Sequence, residues 1–382
     1  MTAQPAPSGF SAATGPAPRP IRLMLVDDSV VARSIFQRML EPHAAFEVVA
    51  VAHTADQALE KLATIGVDII LLDVDMPGTD GLTALPRLIE ASGARVLVIS
   101  SSCDVGGAAA VRAMTLGAAD TLPKPGAGSF GGRFADVLAE TLLRIGHAPN
   151  PALPDTVAIR VEPLAPVQRP LPLRPPVAGP IGCIAIGAST GGLHALSAFF
   201  RALPLEVAVP ILITQHLPAS FMPYFATQIA DIAGRPARVA ADGDRLDGGM
   251  MLIAPGDAHL GLMRSGVVVR VVLDRAPAAS GCLPSVDPMF DAVAATYGPG
   301  GVGVVLSGMG RDGALAAPRL CEAGGEVLAQ DMATSAVWGM PGAVAVAGDT
   351  AGVMEPAAIA RRIARRHAAA HRVPLRDAVQ WR

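Results

Sequence analysis

The stretch "IAIGASTGGLHAL", Ile184 to Leu196, runs from an apolar strand-like segment through a burst of glycines into a helical pattern. Two chemistries use such a turn. A dinucleotide-binding fingerprint, G-x-G-x-x-G, needs its middle glycine so that the backbone can approach a pyrophosphate. Here Gly187 and Gly192 fit the outer positions, but Ser189 holds the middle one. The same letters read as G-x-S-x-G through Gly187, Ser189 and Gly191, the spacing that lifts a serine on a sharp strand-to-helix turn. A glycine-rich βα turn without chemistry is the third reading. The stretch alone leaves all three open.

The rest of the chain narrows the choice. Its 382 residues make two domains the default, each large enough for a core of its own. Hydrophobic residues make up 51% and charged residues 16%, a globular balance, and a net charge of −3 gives no electrostatic case for nucleic acid or anionic lipid. Cys103, Cys183, Cys282 and Cys321 are far apart and never in C-x-x-C, so neither a disulfide framework nor a zinc site is indicated. No uncharged apolar run approaches the roughly 18 residues of a membrane span. Residues 1–20, rich in Pro, Ala, Ser and Gly, read as a flexible tail and not a signal peptide. A cytoplasmic protein is expected.

Prolines set the boundary between the two domains. From Ala148 to Pro180 they recur without any sustained periodicity, which predicts a semi-extended linker, since proline fixes φ and removes a donor. The expected division is 21–147, a linker over 148–180, 181–370, and a tail over 371–382 with no readable role.

In 21–147, β-type runs ("IRLMLV", "FEVVAVA", "DIILLDV", "RVLVIS", "ADTLP") alternate with five helical patterns. Five such units predict a parallel doubly wound sheet, with its site outside the C-terminal strand ends. Asp27 and Asp28 follow the first strand, Asp73 the third and Lys124 the fifth, and Ser100 ends the fourth. Three carboxylates on one edge repel each other unless a cation joins them, and an all-oxygen set suits Mg²⁺. The competing reading, that Asp27 and Asp28 only cap the helix starting near Ser29, leaves Asp73, Ser100 and Lys124 unexplained.

"LMLVDDS", "LLDVDMPGTDGL", "VLVIS" and "LPKP" resemble the receiver domain of two-component response regulators, a flavodoxin-like (βα)5 fold. The resemblance implies that Asp73 accepts a phosphoryl group, that Asp27, Asp28 and Asp73 bind Mg²⁺, and that Ser100 and Lys124 contact the phosphoryl group. Receivers usually carry an aromatic residue three positions before the lysine. Here it is Thr121, and Pro123 directly precedes Lys124, so the aromatic switch is in question while the phosphorylation chemistry is not.

The second domain repeats the strand-end logic. Ser189 follows "IAIGA", and His216 ends the apolar run "VAVPILITQH". Asp312 follows the run "VGVVL" and the turn "SGMG", where it is read as opening a helix. A serine nucleophile needs a base, and the base needs a carboxylate to hold its tautomer and stabilise the imidazolium. The alternatives are an N-cap role for Asp312 and a structural role for the histidine. His194, on the helix after Ser189, and His259, in the loop-like "IAPGDAHLGL", fit the role of base less well. Backbone N–H groups near Gly308, Met309 and Gly310, with those at the start of the helix after Ser189, are read as donors to a developing oxyanion. The competing reading is that these glycines only allow tight βα packing. The order Ser, His, Asp differs from that of α/β-hydrolases, so that fold is not imported.

"IAIGASTGGLHAL", "ILITQHLPASF", "MLIAPGDAHLGL", "PSVDPMF", "VVLSGMGRDGA" and "AQDMATSAVWGMP" together resemble the catalytic domain of the chemotaxis protein-glutamate methylesterases, the CheB family. The resemblance implies a doubly wound, mostly parallel α/β domain over about 181–365, with Ser189 as nucleophile, His216 as base, Asp312 as its orienter and the Met309 N–H in the oxyanion hole. It further implies hydrolysis of glutamyl methyl esters on the cytoplasmic helices of chemoreceptors and deamidation of receptor glutamines, with no cofactor for the esterase. A histidine kinase would phosphorylate Asp73, and the unphosphorylated receiver would block the catalytic site. Thr334, Ser335 and Met340 lie in a segment that lines the active-site mouth in the family, with core or loop structure the competing reading. The run "DRAPAASGCLP" before "PSVD" lacks the Arg/His-containing stretch often found there. Alternatives are a paralogous methylesterase serving a non-chemotaxis array, a non-catalytic response regulator and a nucleotide-binding oxidoreductase. Ser189 in the middle glycine's place, with no acidic residue ending the next strand, argues against the last.

Overall fold

The computed structural model describes residues 19–101, 104–124, 132–146 and 171–371. The first unit is a five-stranded parallel sheet in the order β2-β1-β3-β4-β5. Its strands are β1 (Ile21–Val26), β2 (Phe46–Ala52), β3 (Ile69–Asp73), β4 (Arg95–Ser101) and β5 (Asp120–Lys124). All five residues of β3 are buried, as expected of a central strand covered on both faces. Helices α1 (Val30–Leu40), α2 (Ala55–Leu62), α3 (Gly81–Ser92) and α4 (Asp104–Thr115) connect the strands, and α5 (Gly132–Gly146) follows β5. Ser29, Thr54 and Asp80 cap α1, α2 and α3 by accepting from backbone N–H groups. Because Ser29 caps α1, Asp27 and Asp28 are spared that task.

The second unit is a seven-stranded parallel sheet in the order β14-β13-β12-β6-β7-β9-β8. Its strands are β6 (Cys183–Ala188), β7 (Ile211–Gln215), β8 (Ala237–Val239), β9 (Met251–Ile253), β12 (Gly301–Val305), β13 (Glu326–Gln330) and β14 (Gly352–Met354). A separate antiparallel hairpin, β10 (His259–Ser265) with β11 (Val268–Asp274), was not foreseen in the sequence. Alternation along β6 feeds two cores. Ile184, Ile186 and Ala188 pack with α6 (Gly192–Ala202), α7 (Met222–Ala233) and α11 (Pro356–His371). Cys183 and Ala185 pack with α8 (Val286–Tyr297), α9 (Ala317–Glu322) and α10 (Met340–Ala347) on the other face.

The sheet starts at β6, grows outward through β7, then crosses back to β12 on the other side of β6. Ser189 therefore follows the strand at the topological switch point, where doubly wound sheets open a crevice. The two units also share a core, because Ala110, Val111 and Met114 of α4 pack with Phe221, Met222 and Phe225. The described end of the linker lies against the second unit. Leu173 bridges Thr350, and Arg174 pairs with Asp349 at 2.7 Å. The tail over 1–18, residue 147 with linker residues 148–170, the Ser100 side chain, Cys103 and the tail over 372–382 lie outside the described residues. Among the described residues, no helix is long and apolar enough to cross a membrane.

Candidate active site

The turn quoted at the outset is built by sterics. Gly191 has φ +74°, and a Cβ there would lie 2.5 Å from the Ala336 Cβ and 2.9 Å from Ser307 Oγ. At Gly187 a Cβ would run into Val286. Only glycine lets the chain leave β6 and enter α6 this tightly. The Ser189 N–H donates to Ser307 O at 3.0 Å, and Gln215 Nε2 donates to Ser189 O at 2.8 Å. Ser189 is thus anchored from the segment just past β12 and from the end of β7.

His216 directly follows β7, and its N–H donates to Ala188 O. Its Nε2 lies 2.8 Å from Asp312 Oδ2. Asp312 is almost fully buried, and its carboxylate also accepts from Ser285 Oγ at 2.6 Å, Val286 N at 2.7 Å and Gly313 N at 3.1 Å. Two of these donors belong to the start of α8, so the helix dipole supports the same negative charge. Asp312 does not open a helix, as the sequence suggested. It begins a turn that reaches α9 only at Ala317, and this leaves its carboxylate free to face α8 and His216.

Electrostatics divides the roles. Burial works to raise the Asp312 pKa, but the hydrogen bonds from His216, Ser285 and Val286 overcome it and hold the group well below the usual carboxylate range. Burial would lower the His216 pKa, yet Asp312 and the nearby Cys282 sulfur raise it to about 9. The neighbouring Asp287 is pushed up to about 6, mainly by burial and further by Asp312, so Asp312 is the first of the pair to ionise.

Ser189, Gln215, His216, Cys282 and Met309 line one cavity of about 640 Å³. Among the described residues, nothing in the protein accepts from the Met309 N–H. The far wall belongs to the first unit, where Asp120 and Thr121 of β5 and Val137, Glu140 and Arg144 of α5 face the cavity. Thr190 Oγ1 donates across this seam to Asp120 Oδ2 at 2.9 Å.

The other sequence candidates separate. His194 is exposed on α6 and lines a different cavity with Thr334. His259 lies on strand β10 and not in a loop; its Nδ1 accepts from Ser285 N, so it braces the residue that braces Asp312. Ser335 is fully buried and donates to Asp331 O, and Met340 is core. Neither lines the Ser189 cavity, nor does Thr334. Sequence reasoning missed Ser285, Cys282 and Asp120.

At the first unit's C-terminal edge, Asp27 and Asp73 are buried and Asp28 is exposed, and oxygens of the three lie within 4.8 Å of one another. Lys124 Nζ sits 3.0 Å from Asp27 Oδ2 and 2.6 Å from Asp73 Oδ2. Burial raises the Asp73 pKa, with Lys124 opposing; Lys124 in turn is raised by its two carboxylate partners against the cost of burial. This all-oxygen set fits Mg²⁺. The Ser100 backbone pairs with Pro123 beside it.

The CheB methylesterase family matches residues 184–363, and the response regulator receiver domain family matches 23–129. The protein-glutamate methylesterase/protein-glutamine glutaminase 1 of Paramagnetospirillum magneticum is 39% identical over 89% of this chain and 94% of its own length. This chain belongs to the CheB methylesterase family. A second relative, the protein-glutamate methylesterase/protein-glutamine glutaminase 2 of Caulobacter vibrioides, is 41% identical over 86% of this chain and 93% of its own. The solved CheB methylesterase catalytic domain of Thermotoga maritima aligns with a TM-score of 0.47 at 33% identity, over 48% of this chain and 97% of that one. The chain is accordingly an ester hydrolase of the CheB type fused to a response regulator receiver.

Proposed function

We propose that this CheB-type enzyme hydrolyses glutamyl methyl esters on the cytoplasmic helices of chemoreceptors and deamidates receptor glutamines, in the cytoplasm. The observation that carries the reading is His216 held by the buried Asp312 at 2.8 Å in the cavity that Ser189 lines. Asp312 takes Nε2, which leaves Nδ1 to remove the Ser189 proton as Oγ attacks the ester carbon. The Met309 N–H stabilises the tetrahedral oxyanion, and His216 returns its proton to the departing methanol. Water, activated in the same way, then cleaves the acyl-enzyme and frees Ser189. With glutamine as substrate, ammonia replaces methanol.

Regulation is read from the seam. The receiver's β5 and α5 wall off the cavity, which supports a blocked state before phosphorylation. A histidine kinase would supply the phosphoryl group to Asp73, with Lys124 meeting the added charge and the Ser100 hydroxyl as a further contact. Bound Mg²⁺ supplies charge neutralisation for phosphoryl transfer; Asp27, Asp28 and Asp73 would hold it. Phosphorylation shifts the receiver away only as far as it stabilises the released state over the docked one. The residues 148–180 act as the tether. The test is methanol release from methylated receptor membranes with and without a small acyl phosphate and Mg²⁺. Release should rise with the phosphodonor, and Asp73→Asn should keep basal turnover without the rise. No response in the wild type would overturn the regulatory reading.

A further inference from the structure

Cys282 is a free thiol in the run that departs from the family pattern, and it has no part in the esterase mechanism above. Its Sγ, a His216 ring nitrogen and an Asp312 carboxylate oxygen all lie within 4.8 Å of one another. A thiolate, an imidazole and a carboxylate together form a zinc-type donor set, unlike the all-oxygen set of the receiver.

We propose that His216, Cys282 and Asp312 form an inhibitory site for a borderline-soft divalent cation, Zn²⁺ above all. With Zn–S near 2.3 Å and Zn–N and Zn–O near 2.0–2.2 Å, tetrahedral donors stand roughly 3.4–3.6 Å apart. Separations of up to 4.8 Å would close to that range by at most about 1.4 Å as the side chains turn onto a cation. The cation takes the place of the proton between His216 Nε2 and Asp312 Oδ2, and that pair opens by about 0.6 Å from its present 2.8 Å.

The surroundings are those of a supported ligand set. Ser285 Oγ and the Val286 and Gly313 N–H groups hold the Asp312 carboxylate in place. Ser280 Oγ accepts from the Cys282 N–H at 3.3 Å and donates to Ser285 Oγ at 3.0 Å, tying the thiol's loop to the same network. Three protein ligands leave a fourth position toward the cavity, enough for a water. On binding, His216 gives up its Nε2 position to the cation and keeps its one ring proton on Nδ1, the Cys282 thiol proton leaves to solvent, and Asp312 loses its orienting role. The base is disabled and the esterase stops. That inhibition rests on the reading of His216 as base; the binding site does not.

The experiment adds Co²⁺, then Zn²⁺, to the chelator-stripped full-length protein. One equivalent of Co²⁺ should produce a thiolate-to-metal charge-transfer absorption that Zn²⁺ removes, and Cys282→Ala and Cys282→Ser should both lack it. In parallel, the ratio of methanol release with and without Zn²⁺ should fall at least tenfold for the wild type and stay near one for either variant. No charge-transfer band in the wild type, or an equal band in the two variants, overturns the site. A normal band with an unchanged wild-type ratio places the failure in His216 as base and overturns the inhibitory role.

Discussion

Thr190 Oγ1 donates to Asp120 Oδ2 across 2.9 Å, joining the residue after the candidate nucleophile to the receiver strand that ends at Lys124. Asp120 also accepts from Arg144 at 3.0 Å and from the Thr121 N–H, so its carboxylate ties β5, α5 and the catalytic turn together. Strand β5 thus has the lysine that pairs with Asp27 and Asp73 at one end and the contact to the catalytic turn at the other.

Asp120→Ala should therefore raise basal activity without any phosphodonor. A hydrogen bond to a charged group contributes roughly 1.5–3 kcal/mol, and part of that is recovered by water once the seam opens. An increase of several-fold in unphosphorylated methanol release is expected. An unchanged basal rate would show that the contact does not restrain the receiver.

Asp312→Asn should lower kcat by roughly 10⁴-fold, the scale seen when a triad's carboxylate loses its charge. The amide cannot accept from Ser285, Val286, Gly313 and His216 at once, so a stability loss accompanies it. Combined with His216→Gln, the loss should be far less than the product of the two single effects. Multiplying effects in steady-state kinetics would argue that the two residues do not act as a unit.

Activity should rise with pH toward a limb near 9. His216 must be neutral to accept the serine proton, and its pKa is raised to about 9. Stability runs the other way. The folded value lies above the ordinary 6.5, so the His216–Asp312 pair contributes fully below about pH 6.5 and fades as pH rises through about 9. In chelator-containing buffer, Cys282→Ala should move the kinetic limb to lower pH, because the sulfur is part of the upward shift. A kcat/KM limb that stays in place would remove the sulfur from that cause.

Gly191→Ala should destabilise the protein by about 2 kcal/mol or more, through strain at positive φ and overpacking against Ala336 and Ser307. Thermal unfolding of the variant checks this. A wild-type midpoint would mean that the turn relaxes more easily than its packing indicates.

Much of this was legible because strand ends are local. Asp27, Asp73 and Lys124 each follow or end an apolar run, and a parallel sheet must bring those ends to one edge. Ser189 and His216 were readable for the same reason, since β6 and β7 pair directly. Asp312 was legible as a residue beyond β12 but not in its surroundings. Its donors come from Ser285 and Val286, and no periodicity predicts a contact from a turn to a distant helix start. Gly, Pro and Asp before His259 signal a loop, while its own pairing with Asp274 makes it a strand. The Asp120–Thr190 contact was beyond sequence reach, because it depends on how two separately specified sheets dock. Thr121, which lacks an aromatic ring, lines the shared cavity, so a larger side chain there would take up space in the cavity that His216 also lines.

The most direct measurement is methanol release from methyl-labelled chemoreceptor membranes by wild-type protein and by Ser189→Ala. The turn's geometry is carried by Gly187 and Gly191, so the variant should unfold at the wild-type temperature. Its methanol release should fall to background. A folded Ser189→Ala protein that releases methanol at near wild-type rate would contradict the assignment of Ser189 as the nucleophile.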